Sequence, residues 1–145
     1  MMREQNIVVC DTIRALALCH NVTPTFSEHD KSEVEYQASS PDEIALVKFA
    51  ATMGINLMER DQHLIQTTNA AGNPERYEVL ANFPFSSETK RMGIILRHQE
   101  TKTIVFYLKG AEVVLRNKVR ANNRATVDEA CENLAIEGLR TLVIS

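Results

Sequence analysis

Val105, Tyr107 and Lys109 fall on one face of an alternating segment that ends in Lys109-Gly110. An ammonium that continues an apolar face is costly to bury unless it meets an anion. Gly110, with no side chain, would let a ligand approach the backbone there. Arg140 offers a planar fork of donors suited to phosphate or ribose oxygens, with Glu132 and Glu137 as structural partners in its place. Ser40, Pro41 and Glu43 read as a capping box, Ser40 at the cap and Pro41 at the first helical position. Other common chemistries lack their residues. Cys10, Cys19 and Cys131 form no CxxC pair, and His20, His29, His63 and His98 form no HExxH or HxxxH pair, so neither a zinc site nor a disulfide framework is expected. There is no GxxxxGK[ST], no GxGxxG and no GxSxG.

These residues need elements to position them. Apolar spacing over 7–19 predicts a helix that Thr23-Pro24 breaks, and 27–33 reads as a mobile polar loop. Residues 34–38 alternate as a strand. A helix from the Ser40 cap runs to about Met53 and stops at Gly54. Strands follow at 55–59, 63–68, 76–82, 91–98 and 103–109, with a turn over 69–75 and a hairpin turn over 99–102. A short helix comes after Gly110. Thr126 and Glu129 read as a second capping box, opening a helix that Gly138 ends, and 139–144 reads as a last strand. Grouped strands with helices at either end predict an α+β fold, an antiparallel β-sheet flanked by helices.

The chain has 145 residues, enough for one domain with a sizeable core, and residues 1–145 are expected to form a single domain. Its charge of −3 and the lack of a basic run exclude an ordinary nucleic-acid or membrane-surface binder. No apolar stretch approaches the roughly 20 residues of a spanning helix, and no secretory signal opens the chain. Three reduced thiols in a cytosolic protein are expected, and Asn21-Val22-Thr23 is read as a chance glycosylation match.

Four segments carry more. They are Ser39-Ser40-Pro41-Asp42-Glu43, Phe83-Pro84-Phe85-Ser86-Ser87-Glu88-Thr89-Lys90-Arg91-Met92, Lys109-Gly110-Ala111-Glu112 and Glu137-Gly138-Leu139-Arg140-Thr141-Leu142. In this order and spacing they resemble the nucleotide-binding (N) domain of P-type ATPases, across nearly the whole chain. The QASSPDE and KRM forms are similar to the type IV, phospholipid-flippase branch. Ala17-Leu18-Cys19-His20-Asn21-Val22-Thr23-Pro24 is similar to the subclass thought to act without an accessory subunit.

The resemblance implies the P-type ATPase N-domain fold and binding of ATP with magnesium. Phe85 matches the family's adenine-stacking aromatic, where a flat apolar face suits a purine. Glu43 matches an acidic residue at the adenine edge, able to accept from an amino group. Lys90 matches a basic residue at the mouth, and on a strand its odd separation from Phe85 needs a bend, which Ser86-Ser87 supplies. Arg91 would face the other way, to the surface. Lys109 and Gly110 would floor the pocket, Arg140 would meet phosphate or ribose oxygens, and Ser87 and Met92 would line it. Empty, such a pocket leaves Lys109 without its anion, so Lys109→Met should leave stability unchanged. If Lys109 instead pairs with a carboxylate such as Glu112, the same change strands that partner.

Thr89 stands where many flippases carry a basic residue, which lowers the positive charge at the mouth. The DKTG segment with the family's phosphorylated aspartate is absent, so no catalytic residue is assigned and this fragment alone should turn over nothing. The implied partners are ATP and the other domains of a parent membrane ATPase, with no nucleic acid, no direct membrane contact and a monomeric fragment. The implied location is the cytosolic face of a membrane, Golgi or endosomal. The rival readings are an interaction module that kept the fold but lost the nucleotide, and the N domain of a cation pump.

Overall fold

The computed structural model describes residues 2–26 and 34–145, with side chains from Asn6 onward; the polar loop expected at 27–33 lies outside the described residues. Helix α1 (Met2–Leu18) leads to β1 (Thr23–Phe26), β2 (Val34–Gln37) and α2 (Pro41–Thr52). Six strands follow: β3 (Leu57–Arg60), β4 (Leu64–Thr68), β5 (Pro74–Phe83), β6 (Arg91–His98), β7 (Ile104–Gly110) and, after two helices, β8 (Val143–Ile144). Those helices are α3 (Glu112–Leu115) and α4 (Arg124–Ile136).

The six strands form one antiparallel sheet in chain order, and β1 and β2 form a separate two-stranded ribbon. Turn chemistry sets this meander. Asn69 Oδ1 accepts from the amides of Ala71 and Asn73, both at 3.0 Å, and Gly72 takes φ +82°. The His98 amide donates to the Thr103 carbonyl at 2.9 Å and closes the 99–102 hairpin. The fold is thus the α+β arrangement expected.

Alternation then divides the sheet into two faces. Met92, Ile94 and Leu96 of β6 are buried with Leu57, Ile65 and Tyr77. The end of α1 and Val47 of α2 close over them, and Ile13, Leu16, Ala17 and Ala50 join the two helices. On the opposite face Leu108 packs on Leu115, Cys131 and Val143, under α3 and α4.

Four local expectations differ. Thr23-Pro24 does end the helix, yet it also belongs to β1, where Pro24 pairs with Tyr36; a ribbon with a free edge tolerates a residue without an amide hydrogen. The last strand covers Val143–Ile144 only. Val143 pairs with Gly110, so Leu142 would need Ala111, where the chain already turns into α3. Arg140 therefore lies in a connection and not in a strand. Neither capping box forms: Ser40 makes no side-chain cap bond, and α4 starts at Arg124, which puts Thr126 inside the helix.

Candidate functional site

Met92 and Lys109 are direct partners across β6 and β7, so both side chains stand on the inner face at one end of the sheet. Lys109 is buried, at 6% exposure, where the alternation placed it. Its Nζ lies 3.4 Å from Oε1 of Glu43, whose side chain is only 14% exposed. Glu43 is in the first turn of α2. Of the two arrangements expected, an ammonium without its anion and a pair with a carboxylate such as Glu112, the structure shows the second, with Glu43 as the carboxylate. Glu43 leaves Ser40 and pairs with Lys109, because a carboxylate gains more from a buried ammonium than from one exposed amide.

Gly110 is required by close packing, though not by a ligand. A Cβ there would sit 2.6 Å from the Lys90 carbonyl oxygen and 2.8 Å from Arg91 Cβ. The Ala111 amide donates to that same carbonyl at 3.1 Å. The space expected for a ligand is filled by the chain entering β6. Gly110→Ala should cost about 1–3 kcal/mol through forced backbone shift, read as a lower midpoint in chemical denaturation. A midpoint equal to that of the wild type would mean this contact relaxes freely.

Phe85, Ser87 and Lys90 lie in the 84–90 connection between β5 and β6, and all three are exposed. The bend expected at Ser86-Ser87 is a turn in which the Lys90 amide donates to the Ser86 carbonyl at 2.8 Å. Ser86 Oγ and Thr89 Oγ1 stand 2.7 Å apart, and Lys90 holds a positive φ of 50°. Phe85 is 60% exposed, while its neighbour Phe83 packs edge-on against Phe106 on the outer face, centroids 6.3 Å apart. Arg91 is exposed and shares the outer face with Gly110, as expected. Met92 departs from expectation. It is 1% exposed and part of the core, so it backs Lys109 from within and does not line an open surface.

Arg140 pairs with Asp42 of α2, and not with Glu132 or Glu137. Both side chains are largely in solvent, so the pair holds the 139–142 connection against α2 only weakly. Beneath it a groove of about 620 Å³ runs between α2 and α4, lined by Leu46, Lys109, Cys131, Arg140 and Leu142 among others. Asp42 and Leu142 were not among the residues expected at the site. Both stand within the motif segments, Asp42 next to Glu43 and Leu142 two residues from Arg140, and that nearness was the available signal. The structure thus joins Glu43 with Lys109, Met92 and Gly110, and Arg140 with Lys109 along one groove. Phe85, Ser87 and Lys90 are not among the residues that line the groove; they lie in the connection that enters β6, whose Lys90 carbonyl packs against Gly110. Among the described residues, no group of three or more His, Cys, Asp or Glu is placed to hold a metal ion.

The fold and groove define an α+β domain that presents a buried lysine and an exposed arginine along one apolar cleft. Comparison with known families gives the class: residues 9–145 match the P-type ATPase, cytoplasmic domain N, and the chain belongs to that family. It is 46% identical over 143 residues, 98% of its length, to the phospholipid-transporting ATPase NEO1 of Saccharomyces cerevisiae. It is 45% identical over 139 residues, 93% of its length, to the probable phospholipid-transporting ATPase tat-5 of Caenorhabditis elegans. It is 40% identical over 151 aligned positions, again 93% of its length, to the human probable phospholipid-transporting ATPase IIB. The chain spans only 12–13% of the length of these relatives. Among the described residues no helix is long and apolar enough to cross a membrane.

Proposed function

We propose that this domain binds Mg-ATP for a phospholipid-transporting P-type ATPase of the type IV branch, holding the nucleotide so that its γ-phosphate reaches an aspartate in another domain of the parent. Residues 1–145 act as a single nucleotide-binding domain on the cytosolic side of that membrane protein. The observation that carries this reading is the Lys109–Glu43 pair at the end of the groove that Arg140 overhangs. The donor set fits a nucleotide. Phe85 offers an exposed ring for the base, Glu43 an acceptor for its amino group, and Lys109 the floor, with Gly110 letting the chain that enters β6 pack close beside it. Lys90 and Arg140 face the phosphates from the mouth, Ser87 completes the surroundings, and Met92 backs Lys109 from within the core. Magnesium arrives with the triphosphate, whose charge it partly neutralises.

This chain's residues bind and orient, and proximity to the acceptor aspartate is the parent's gain from the domain. The names of the relatives favour lipid over cation as the parent's cargo. The rival of a nucleotide-free interaction module predicts no response to ATP.

Chemical-shift titration tests the reading. ATP should bind at sub-millimolar to millimolar concentration, roughly −4 to −5 kcal/mol, with ADP about equal because the base dominates. Phe85→Ala should weaken binding by about 1–3 kcal/mol without altering the melting temperature, since the ring is mostly in solvent. Arg91→Ala should leave binding unchanged. Equal losses from both substitutions would point to a diffuse basic patch and overturn the stacking role.

A further inference from the structure

The segment Cys19-His20-Asn21, between α1 and β1, has no part in the roles above, yet its side chains are tied across the sheet. Arg60, the last residue of β3, donates from Nη1 to the His20 carbonyl and lies 3.1 Å from His20 Nδ1. Its Nη2 donates to Asn21 Oδ1 at 3.2 Å. The same oxygen accepts from Asn82 Nδ2 at 3.3 Å. On its other side Asn21 turns its Nδ2 toward Met92 Sδ at 4.0 Å, a weak contact. The Cys19 thiol reaches the carbonyls of Tyr107, at 3.8 Å, and Met92, at 4.0 Å.

These partners have a common geography. Asn82 precedes and Met92 follows the 84–90 connection that carries Phe85, Ser87 and Lys90. One side chain, Asn21, thus touches both roots of that connection, and Arg60 fixes its orientation. The connection is stiffened internally by the Lys90–Ser86 and Ser86–Thr89 bonds and is docked, through the Ala111 amide, on the residue that joins β7 to α3. A stiff loop held at both roots has few positions for its exposed ring.

We propose that Asn21 is a positioning residue for the nucleotide site: it sets the 84–90 connection so that Phe85 and Lys109 meet one ligand. The inference rests on the nucleotide reading. A weak ligand depends on such preorganisation, because every unproductive loop position lowers apparent affinity by its population. Asn21 itself need not touch the ligand.

The test compares Asn21→Leu, which removes the shared acceptor and keeps the branching of the side chain, with Asn21→Asp, which keeps oxygens for Arg60 and Asn82. In the ligand-free chain, hydrogen exchange at the Thr89 and Lys90 amides should speed up in Asn21→Leu relative to the 99–102 hairpin, and not in Asn21→Asp. Titrated with ATP, Asn21→Leu should bind about tenfold more weakly, the share lost to unproductive loop positions, while Asn21→Asp stays near wild type. On a Phe85→Ala background Asn21→Leu should add little, because both act through the same ring. Wild-type exchange in Asn21→Leu, or losses that add to those of Phe85→Ala, would overturn the proposal. If the wild-type chain shows no shifts with ATP, the nucleotide reading falls, while the exchange comparison still decides whether Asn21 holds the connection. Should Asn21→Leu fail to fold, Asn82→Ala removes one of the two root contacts and is read the same way.

Discussion

Replacing Lys109 by methionine should destabilise the ligand-free domain by about 3–5 kcal/mol, the usual cost of leaving one member of a buried ion pair alone. At about 2–4 °C per kcal/mol for a chain near this size, the melting temperature should fall by roughly 10 °C. Methionine would keep the apolar stem of Lys109 against Met92, so packing loss is small and the effect reports on Glu43. That carboxylate, 14% exposed, would lose its Lys109 partner. The double replacement Glu43→Gln and Lys109→Met should recover most of the loss, because no charge then remains to be stranded. The sequence reading led to the opposite expectation, an unpaired lysine whose removal is harmless. A Lys109→Met domain that melts at or above the wild-type temperature would show that Glu43 does not compensate Lys109 in solution. Recovery in the double variant separates stranded charge from disturbed packing. The nucleotide reading adds that Lys109→Met should also lose its thermal shift with ATP.

Acidification should unfold the domain earlier than its carboxylates alone require. His20 is fully buried, and its pKa is pushed down to about 3, chiefly by burial and then by the neighbouring Arg60 guanidinium, with Lys109 adding to the effect. Its Nε2 donates to the Ala17 carbonyl at 2.7 Å, and its Nδ1 accepts from the Val22 amide at 3.0 Å. The ring is held neutral, with the bonding assigning the proton to Nε2. A proton on Nδ1 would take away the lone pair that Val22 and Arg60 use. In the unfolded chain the same histidine titrates near its ordinary 6.5. Between that value and about 3 the unfolded state alone takes up the proton, so stability is complete above pH 6.5 and declines below it. The decline is about 1.4 kcal/mol per pH unit, or about 2 kcal/mol by pH 5. His20→Gln keeps a donor for Ala17 and removes the titration. Denaturation midpoints at pH 7, 6 and 5 should fall steeply for the wild type and less steeply, by about one proton, for His20→Gln. Parallel slopes would mean that the ring is protonated in the folded domain or reaches water.

Much of the frame was determined by contiguous residues. Alternation over 91–98 and 103–109 gave two strands at nearly their observed bounds, because each buries one face and side chains repeat every two residues. Gly54 and Gly138, at φ +93° and +76°, end their helices where a left-handed backbone was expected. Lys109 lies on the face that its strand dictated, and the four motif segments were enough to indicate the family. β1 escaped because four residues containing a proline carry almost no periodic signal. Partner choice was decided only by the tertiary structure. Glu43 was legible as a cap for Ser40, three residues away, yet it pairs with Lys109, 66 positions along the chain. Arg140 faces Asp42 from 98 positions away, and Gly110 is filled by Lys90 and Arg91 where a ligand had been expected. Arg60 and Asn82 reach Asn21 across 39 and 61 positions. Periodicity and turn propensity act over a few residues of backbone, so a sequence displays them directly. An ion pair or a shared hydrogen bond is chosen by distance and desolvation, and both are set only when the sheet has brought remote segments together.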